Sequence, residues 1–376
     1  STIFVANAGH ANPAIKEAII AVLDDDLTHA YNYSTRPRLE YLEYLIANTP
    51  KFCEKAFLLS AGTEATEVAL KLMRMNGQKQ HPDKNIIIAL NGNWHGRTMG
   101  AQFMAGNEGQ KEWIGYRDPF MHHLPFPYDQ EHSVTEDLEK LIEKLGNGAN
   151  NKIAGIMLET YQGWGAYFYP DKFIKELKAA SKKYKFLIAF DEMQSGFGRT
   201  GKMFGYQHYD ITPDLICCGK GASSSLPLSM VLGRSKLLDL PDIGSMSSTH
   251  SAHPVIVAAG HANLKEIVER NLCLNAHKLG KFLNDSLHAI REKYSKTYEI
   301  TINSKGLVAG FVLYDMDGKP LSDECSEICE KCFQAGLLVV HTGRESIKIA
   351  PPLTIEFDAL EEGLSVFCEC VAQVLG

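Results

Sequence analysis

Two short apolar runs, residues 187–190 and 215–218, stand out in the hydrophobic pattern because polar residues flank both of them. Uninterrupted apolar runs of this length are typical of parallel strands that are buried on both faces. Asp191 follows the first run directly, and Gly219 and Lys220 follow the second. Open α/β sheets bind ligands at the carboxyl ends of their strands. The pattern therefore predicts that a buried carboxylate and a buried amine share one crevice.

Further apolar runs at residues 56–59, 86–90 and 153–158 predict three more strands. The apolar stripe of residues 171–184 predicts an amphipathic helix between two strands, which completes a βαβ unit. Asn12 and Pro13 predict the start of a helix that extends to residue 23.

The rest of the pattern predicts the domain organisation. From about Leu264 we expect one long helix that leaves the large domain, followed by short strands near residues 310–314 and 337–341. The predicted units are an N-terminal segment (1–32), a large domain (33–265) and a small C-terminal domain (266–376).

The composition is that of an ordinary globular protein, with 45% hydrophobic and 22% charged residues. A formal net charge of −7 argues against nucleic acid or an anionic membrane as the main partner, so small molecules are the expected ligands. The sequence has neither an apolar run of about 18 residues nor a signal-peptide pattern, and we expect a cytoplasmic protein. The nine cysteines are scattered, which fits reduced thiols.

Two motifs suggest other chemistry, and neither fits its context. Residues 196–201 match the G-x-G-x-x-G pattern of dinucleotide sites, but five residues separate Phe190 from the first glycine, whereas that motif needs a strand-to-helix turn. Cys325, Cys329 and Cys332 have the spacing of some iron–sulfur ligands, yet they also fall on one helical face. A helix that starts near residue 322 and stops before Gly336 is the favoured interpretation, and no metal site is expected.

Residues 60–65 lie between the strand at 56–59 and a helical run at 66–75. The N–H groups and the dipole at a helix N-terminus favour a dianion, and Gly62 would allow it to approach the backbone. Ordinary helix capping explains the same residues, so this pattern alone leaves both interpretations open.

Motifs spread over nearly the whole chain resemble those of the class III aminotransferases, which are fold type I enzymes that use pyridoxal phosphate. This family includes ornithine, acetylornithine and 4-aminobutyrate aminotransferases. The resemblance implies an α/β fold with a large domain on a mostly parallel seven-stranded sheet and a smaller α+β C-terminal domain. The motifs that carry it are residues 9–13, 60–65, 91–98, 159–163, 189–194, 219–221 and 247–254.

Two features depart from the usual family pattern. Thr160 stands where the family usually has proline, which leaves the acid Glu159 in place. Family members usually carry additional chain before the motif at residues 9–13, so residues that often shape the substrate entrance are expected to be missing here.

The resemblance implies specific roles at the cofactor ring. Lys220 would hold pyridoxal phosphate as a Schiff base and then act as the base that moves the substrate proton. Asp191 would pair with the pyridine nitrogen and keep it protonated, Gln194 would hydrogen-bond the ring hydroxyl, and Trp94 would stack on the ring. A core tryptophan near a loop is the alternative for Trp94.

At the other end of the cofactor, the resemblance implies that Gly62, Thr63 and Thr249 bind the phosphate. In the family, the threonine that corresponds to Thr249 reaches the cofactor of the neighbouring subunit. The resemblance therefore implies a homodimer whose active sites lie at the subunit interface.

The substrate end departs from the family in two places. Many members that use 2-oxoglutarate have an arginine where this chain has Lys348, and a glutamate that neutralises it where this chain has Trp164. Lysine offers a point charge rather than a planar fork, so we expect 2-oxoglutarate not to be the preferred acceptor. Arg97 would still hold one carboxylate, and Glu159 is a further candidate substrate residue. An exposed Lys348 beside a packing Trp164 is the alternative.

The expected activity is transfer of an amino group between an amine or amino acid and an oxo-acid or carbonyl acceptor. A racemase, epimerase or aminomutase that uses the same cofactor is the first alternative, because members of the family catalyse those reactions. A non-catalytic or nicotinamide-binding protein is the second.

Overall fold

Two large sheets and one two-stranded sheet, formed by Tyr161–Gln162 and Tyr167–Phe168, organise the protein, whose computed structural model describes residues 1–146, 148 and 152–376. In chain order, the strands are β1 (Lys55–Leu59), β2 (Ile86–Leu90), β3 (Met121–Leu124), β4 (Ile153–Glu159), β5 (Tyr161–Gln162), β6 (Tyr167–Phe168), β7 (Leu187–Asp191), β8 (Leu215–Cys218), β9 (Ser229–Gly233), β10 (Tyr298–Ser304), β11 (Ala309–Asp315), β12 (Val340–His341) and β13 (Ser346–Ile349).

The larger sheet has the strand order β1-β9-β8-β7-β4-β2-β3. Strands β8, β7, β4, β2 and β3 are parallel, and β9 runs antiparallel to both β1 and β8. Every residue of β2, β4, β8 and β9 is buried, as the uninterrupted apolar runs require. The predicted mostly parallel seven-stranded sheet is confirmed.

The helices cover both faces of this sheet and one face of the smaller one. They are α1 (Pro13–Asp24), α2 (Arg36–Ala47), α3 (Gly62–Gln80), α4 (Met99–Met104), α5 (Val134–Leu145), α6 (Asp171–Tyr184), α7 (Ser235–Leu238), α8 (Pro254–Glu269), α9 (Leu272–Tyr294), α10 (Ser322–Gln334) and α11 (Phe357–Leu375).

Two apolar cores lie on opposite faces of the larger sheet, because successive strand residues point in opposite directions. Ile86 and Ile88 pack in one core, and Ile87 and Ala89 pack in the other. Helix α6 links β4 to the parallel strand β7, which confirms the predicted βαβ unit. At the start of α1, the side chain of Asn12 accepts a hydrogen bond from the N–H of Ile15, as the capping pattern predicted.

The smaller sheet is antiparallel, in the order β10-β11-β13-β12, and packs against α9 and α10, while Phe367 of α11 contacts Phe311 of β11. The long helix expected from about Leu264 is present as the 23-residue α9, but it begins later, at Leu272. Helix α8 ends at Glu269 and α9 begins at Leu272, because Asn271 adopts a left-handed conformation with φ of 52° and interrupts the helical path.

Helix α10 contains the three spaced cysteines, as predicted. Cys325 and Cys332 are buried against the core of the smaller domain, and Gly336 has a φ of 84° just beyond the helix end. Within the described ranges, every helix is too short or too polar to cross a membrane.

The glycine-rich segment 196–201 forms turns, and the side chain of Arg199 in this segment bonds to three separate parts of the chain. The buried guanidinium of Arg199 donates hydrogen bonds to the Oδ1 of Asn7 at 2.7 Å and to the carbonyl oxygens of Leu307 at 2.8 Å and Pro351 at 2.5 Å. This segment therefore has a structural role in joining the N-terminal residues to both domains.

Candidate active site

A cavity of about 250 Å³ opens at the carboxyl edge of the larger sheet, where β4, β7 and β8 end. Seven of the predicted site residues share this one cavity, although they come from motifs that are far apart in the chain. The lining consists of Gly62, Thr63, Trp94, His95, Gly96, Glu159, Asp191, Met193, Gln194 and Lys220.

Asp191 is the last residue of β7 and is buried. Its Oδ1 accepts a hydrogen bond from the N–H of Met193 at 3.0 Å, and its Oδ2 lies 2.9 Å from Nδ1 of His95. These two contacts fix the orientation of the carboxylate in the cavity wall. Asp191 is thus held by more than a capping interaction.

Lys220 follows β8 and adopts a left-handed backbone conformation, with φ of 43°. A non-glycine residue in that region is strained, and such strain concentrates at functional sites. Burial lowers the pKa of the Lys220 amine, while the negative charges of Asp191 and Glu159 act in the opposite direction. The predicted crevice that contains both an acid and an amine is confirmed.

Glu159 is the last residue of β4 and lies beside Asp191 in the paired strand register. Its Oε2 accepts hydrogen bonds from the N–H of Trp94 at 2.9 Å and of Gly163 at 3.3 Å. Burial raises the pKa of Glu159 to about 7, and the nearby charge of Asp191 adds to this effect. Glu159 is therefore poised between its two protonation states near neutral pH.

The predicted phosphate end of the cavity lies at the N-terminus of α3, which begins at Gly62. The first N–H groups of a helix have no acceptor within the helix, so those of Gly62 and Thr63 suit an anion. A Cβ on Gly62 would lie 2.9 Å from the Sδ of Met193, so this glycine also keeps the cavity wall open.

A hydroxyl chain supports this end of the cavity, and the sequence analysis missed it. The Oγ1 atoms of Thr63 and Thr98 lie 2.6 Å apart, and that of Thr98 donates to Oε1 of Glu67 at 2.5 Å. The sequence signal for this chain of hydroxyl groups was Thr98, the last residue of the motif at residues 91–98.

Trp94 lines the cavity and is partly buried. The guanidinium carbon of Arg97 lies 4.7 Å from the centre of the Trp94 ring, on an exposed side chain. The cation–π contact places Arg97 at the rim of the site. Among the described residues, Arg97 does not line the cavity.

Lys348 belongs to β13 of the smaller sheet, and only 8% of the residue is exposed. Its Nζ donates a hydrogen bond to Oε1 of Gln194 at 3.2 Å. The alternative of an exposed Lys348 is therefore wrong, because β13 directs this side chain to the cavity wall. Burial lowers the pKa of the Lys348 amine to about 8, against the opposing effect of Glu159.

Trp164 packs beside the cavity without lining it in the described part of the chain. Its indole N–H donates to Oε1 of Gln162 at 2.5 Å, and the guanidinium carbon of Arg344 lies 3.8 Å from the centre of its ring. These contacts match the packing alternative for Trp164.

Thr249 is exposed and is the predicted cofactor residue that the single chain does not bring to the cavity. It lies in the irregular segment before α8, and the neighbouring Ser251 and Ala252 line a separate surface cavity.

His95 is a site residue to which the sequence analysis assigned no role. Its ring is buried, Nδ1 contacts Asp191, and Nε2 has no hydrogen-bond partner among the described residues. The position of His95 just beyond the end of β2 was a usable signal, because it places the ring at the same sheet edge as Asp191.

The residues present fit pyridoxal phosphate. A buried carboxylate suits the ring nitrogen, an amine of lowered pKa suits covalent attachment, and a glycine at a helix N-terminus suits the phosphate. A Cβ on Gly62 would meet the side chain of Met193, which also lines the cavity.

Comparison with known proteins agrees with this chemistry. Residues 1–371 match the family model for "Aminotransferase class-III". The chain is 30% identical to the 2-aminoadipate transaminase of Pseudomonas putida, covering 98% of this chain and 90% of the relative. It is 28% identical to the alanine/serine racemase of Pyrococcus horikoshii, covering 98% and 80% of the two chains.

Among solved structures, a transaminase from the marine bacterium Virgibacillus superposes with a TM-score of 0.91, at 24% identity, over 100% of this chain and 88% of that chain. This likeness confirms the fold type I architecture of the two sheets. Together with the family match over residues 1–371, it shows that the chain belongs to the class III aminotransferases, enzymes that depend on pyridoxal phosphate.

Proposed function

We propose that this aminotransferase carries out amino-group transfer in the cavity at the edge of the larger sheet, with Lys220 as its catalytic amine. The observation that supports this best is the shared cavity, in which Lys220, Asp191 and Glu159 meet at the ends of three adjacent strands. The polypeptide brings these groups together from positions up to 61 residues apart in the sequence.

When bound, pyridoxal phosphate supplies an electron sink for the negative charge that develops on the substrate carbon. Lys220 would hold the cofactor covalently, and its free amine would take the proton from the substrate carbon. The lowered pKa of the Lys220 amine favours the neutral form, which is the nucleophilic and basic one.

Asp191 holds a proton on the ring nitrogen by placing a negative charge beside it in a buried site. His95 and the N–H of Met193 keep the Asp191 carboxylate in position for this task. Gln194 hydrogen-bonds the ring hydroxyl, and Trp94 covers one face of the ring.

The phosphate binds at the N-terminus of α3 against Gly62 and Thr63. We assign the remaining contact to Thr249 of a second copy of the chain, because Thr249 is exposed and lies outside the cavity of its own chain. The functional unit is then a homodimer with its active sites at the subunit interface.

The substrates are an amine or amino acid and an oxo-acid or carbonyl acceptor that carries at most one carboxylate for this site to grip. Lys348 provides one positive charge without the planar fork of arginine, and Trp164 provides no acid to neutralise it. Arg97 at the rim can hold one carboxylate, but a dicarboxylate needs two such sites, so 2-oxoglutarate is not the preferred acceptor.

The test is Lys220→Ala, which removes the nucleophile and the base together. Turnover should fall by several orders of magnitude while the thermal midpoint of the cofactor-free protein is retained. Lys236→Ala, at an exposed lysine on α7, is the matched control and should keep full activity. A Lys220→Ala enzyme with more than about a tenth of the wild-type rate would refute the assignment.

Racemisation or epimerisation is the second candidate, because one relative that matches over most of its length is an alanine/serine racemase. Dependence on an amino acceptor separates the two reactions. Conversion of one amino-acid enantiomer to the other without any oxo-acid, with solvent deuterium entering the α-carbon, would favour the second candidate. A strict requirement for an oxo-acid or carbonyl acceptor would favour amino transfer.

A further inference from the structure

Lys348 is a second amine at the cofactor cavity, and the reaction described above leaves it without a task towards the cofactor. It comes from β13 of the smaller sheet and, although it is not itself a lining residue, it contacts the lining residue Gln194. Its hydrogen-bond partner within the described residues is the amide of Gln194 rather than an acid. A buried ammonium that contacts a neutral amide keeps most of its charge available to its surroundings.

The contact fixes which way the Gln194 amide faces. An ammonium group can only donate hydrogen bonds, so at 3.2 Å the atom of Gln194 that meets Lys348 is the carbonyl Oε1. The Nε2 group must then point to the other side, where it lies 3.4 Å from Oε1 of Glu159. Gln194 is left with an N–H, and no carbonyl oxygen, to offer to the cavity.

The charges that face Lys348 come from several elements. Glu159 at the end of β4 is the nearby acid, and Lys220 beyond β8 is a nearby cation that repels it. On the remaining side, the Nζ of Lys348 lies 5.0 Å from the centre of the buried Phe4 ring, and Arg199 approaches the same ring at 5.6 Å. The charge of Lys220 therefore disfavours protonation of Lys348. Because the repulsion between two charges is mutual, a charge on Lys348 acts on Lys220 in the same direction.

We propose that Lys348 is a positioning residue for the cofactor: it turns the Gln194 N–H towards the ring oxygen and places a positive charge that favours the deprotonated state of the Lys220–cofactor unit. This inference rests on the proposed function, because it assumes that Lys220 carries the cofactor and that Gln194 meets the ring hydroxyl. It assigns Lys348 a task that does not depend on which acceptor the enzyme uses.

The orientation of Gln194 and the charge of Lys348 both favour the deprotonated state of the Lys220–cofactor unit. Without the ammonium, the Gln194 amide is free to turn its carbonyl towards an anionic ring oxygen, which disfavours that anion. Loss of a positive charge also makes it easier for the Lys220–cofactor unit to hold a proton. Both effects should move the pH midpoint of the cofactor's visible absorbance change upwards.

The experiment is an absorbance titration of the holoenzyme with and without the Lys348 charge. Lys348→Met should raise the midpoint by about one pH unit or more, the size of shift that a nearby charge produces. Lys348→Arg, which keeps the charge, should move it by less than about half as much. If the Met protein proves unstable, Lys348→Gln, which keeps an N–H donor without charge, should also shift the midpoint upwards.

The chain offers a matched control. Lys305 also places its Nζ 5.0 Å from the centre of an aromatic ring, that of Phe168, but among the described residues it donates no hydrogen bond to a residue that lines the cavity, whereas Lys348 donates to Gln194. Lys305→Met should therefore leave the midpoint unchanged. In a Gln194→Ala background, Lys348→Met should give a clearly smaller shift, because part of its effect acts through Gln194.

An unchanged or lowered midpoint in Lys348→Met, with cofactor still bound, would overturn the proposal. So would an equal shift in the wild-type and Gln194→Ala backgrounds. Failure of the proposed function looks different: the pH-dependent band would persist in Lys220→Ala. A band that depends on Lys220 but ignores Lys348 overturns only this inference.

Discussion

Selection between amino acceptors is the most specific consequence of this active site. We expect the aminated form of the enzyme to react no faster with 2-oxoglutarate than with pyruvate. The reason is that the second carboxylate of 2-oxoglutarate needs a planar, bidentate partner, whereas Lys348 offers a single ammonium that already donates to Gln194 at 3.2 Å.

The size of the effect follows from one weakened contact. A hydrogen bond to a charged group contributes about 1.5–3 kcal/mol, and desolvating a buried amine offsets part of this. Only 8% of Lys348 is exposed, so water does little to screen its charge or to replace a missing partner. A loss of about 1–3 kcal/mol corresponds to roughly tenfold to a hundredfold in specificity.

The assay prepares the aminated cofactor form and follows its reoxidation by each oxo-acid under single-turnover conditions. Lys348→Arg is the informative variant, because it restores the fork and should shift the ratio towards 2-oxoglutarate by about tenfold, or 1.4 kcal/mol. The larger side chain costs about 1–3 kcal/mol of stability in this packed site, but that cost cancels in a ratio measured within one variant.

Wild-type enzyme that reacts more than about tenfold faster with 2-oxoglutarate would refute this reasoning, since 1.4 kcal/mol then favours the dicarboxylate. The second cation in that case would have to be sought at Arg97 or Arg344. Replacement of each by methionine would identify which of them grips the carboxylate.

Three further predictions follow from the cavity. Asp191→Asn should still bind the cofactor but be nearly inactive in steady-state assays, because each pKa unit lost by the ring nitrogen removes about 1.4 kcal/mol from its protonated form. Burial raises the pKa of Glu159 from near 4.5 to about 7. Between these pH values the folded protein holds a proton that the unfolded chain has released, so the free energy of unfolding falls as the pH rises. Glu159→Gln should flatten this fall, on the order of 3 kcal/mol, in urea unfolding of the cofactor-free protein. Thr249→Ala should weaken cofactor binding about tenfold to a hundredfold in equilibrium titrations, because one charged hydrogen bond is lost. Thr249→Ser keeps the hydroxyl and should bind as the wild type does. Equal affinity of the wild type and Thr249→Ala for the cofactor would show that Thr249 does not bind the phosphate.

The sequence predicted the sheet edge well because the signals there are local. Buried parallel strands are short apolar runs, so their ends can be located to within a residue or two, and the residue after each run must lie at the edge. Asp191 and Glu159 were found in this way and proved to be the last residues of β7 and β4. The helical run at residues 66–75 was found from local apolar spacing and lies within α3, which begins four residues earlier, at Gly62.

The sequence did not predict contacts made between distant segments. Nothing near Lys348 distinguishes a lysine that faces the cavity from an exposed one, because β13 belongs to another sheet and its orientation depends on how the two domains pack. The bond between His95 and Asp191 joins positions 96 residues apart and depends on β2 and β7 flanking β4. The strained backbone of Lys220 also has no signal in residue type, since lysine rarely adopts a positive φ.

The placement of charge around the cavity explains why two acids and two amines can coexist there. Glu159 and Asp191 are paired in register on adjacent parallel strands, so their side chains leave the same face of the sheet and repel each other. The carboxylate of Asp191 accepts a hydrogen bond from the N–H of Met193 and contacts the imidazole of His95. The carboxyl group of Glu159 also accepts hydrogen bonds, but burial raises its pKa to about 7, so it can hold a proton near neutral pH.

The two amines also come from different parts of the fold. Lys220 comes from the strand next to Asp191, and Lys348 comes from the other domain beside Gln194 and Glu159. Each acid therefore has an amine close to it, and the charge of Lys220 lowers the proton affinity of Lys348. Because Lys348 enters from the smaller domain, the packing of that domain against the larger sheet is what brings the second amine to Gln194 and Glu159.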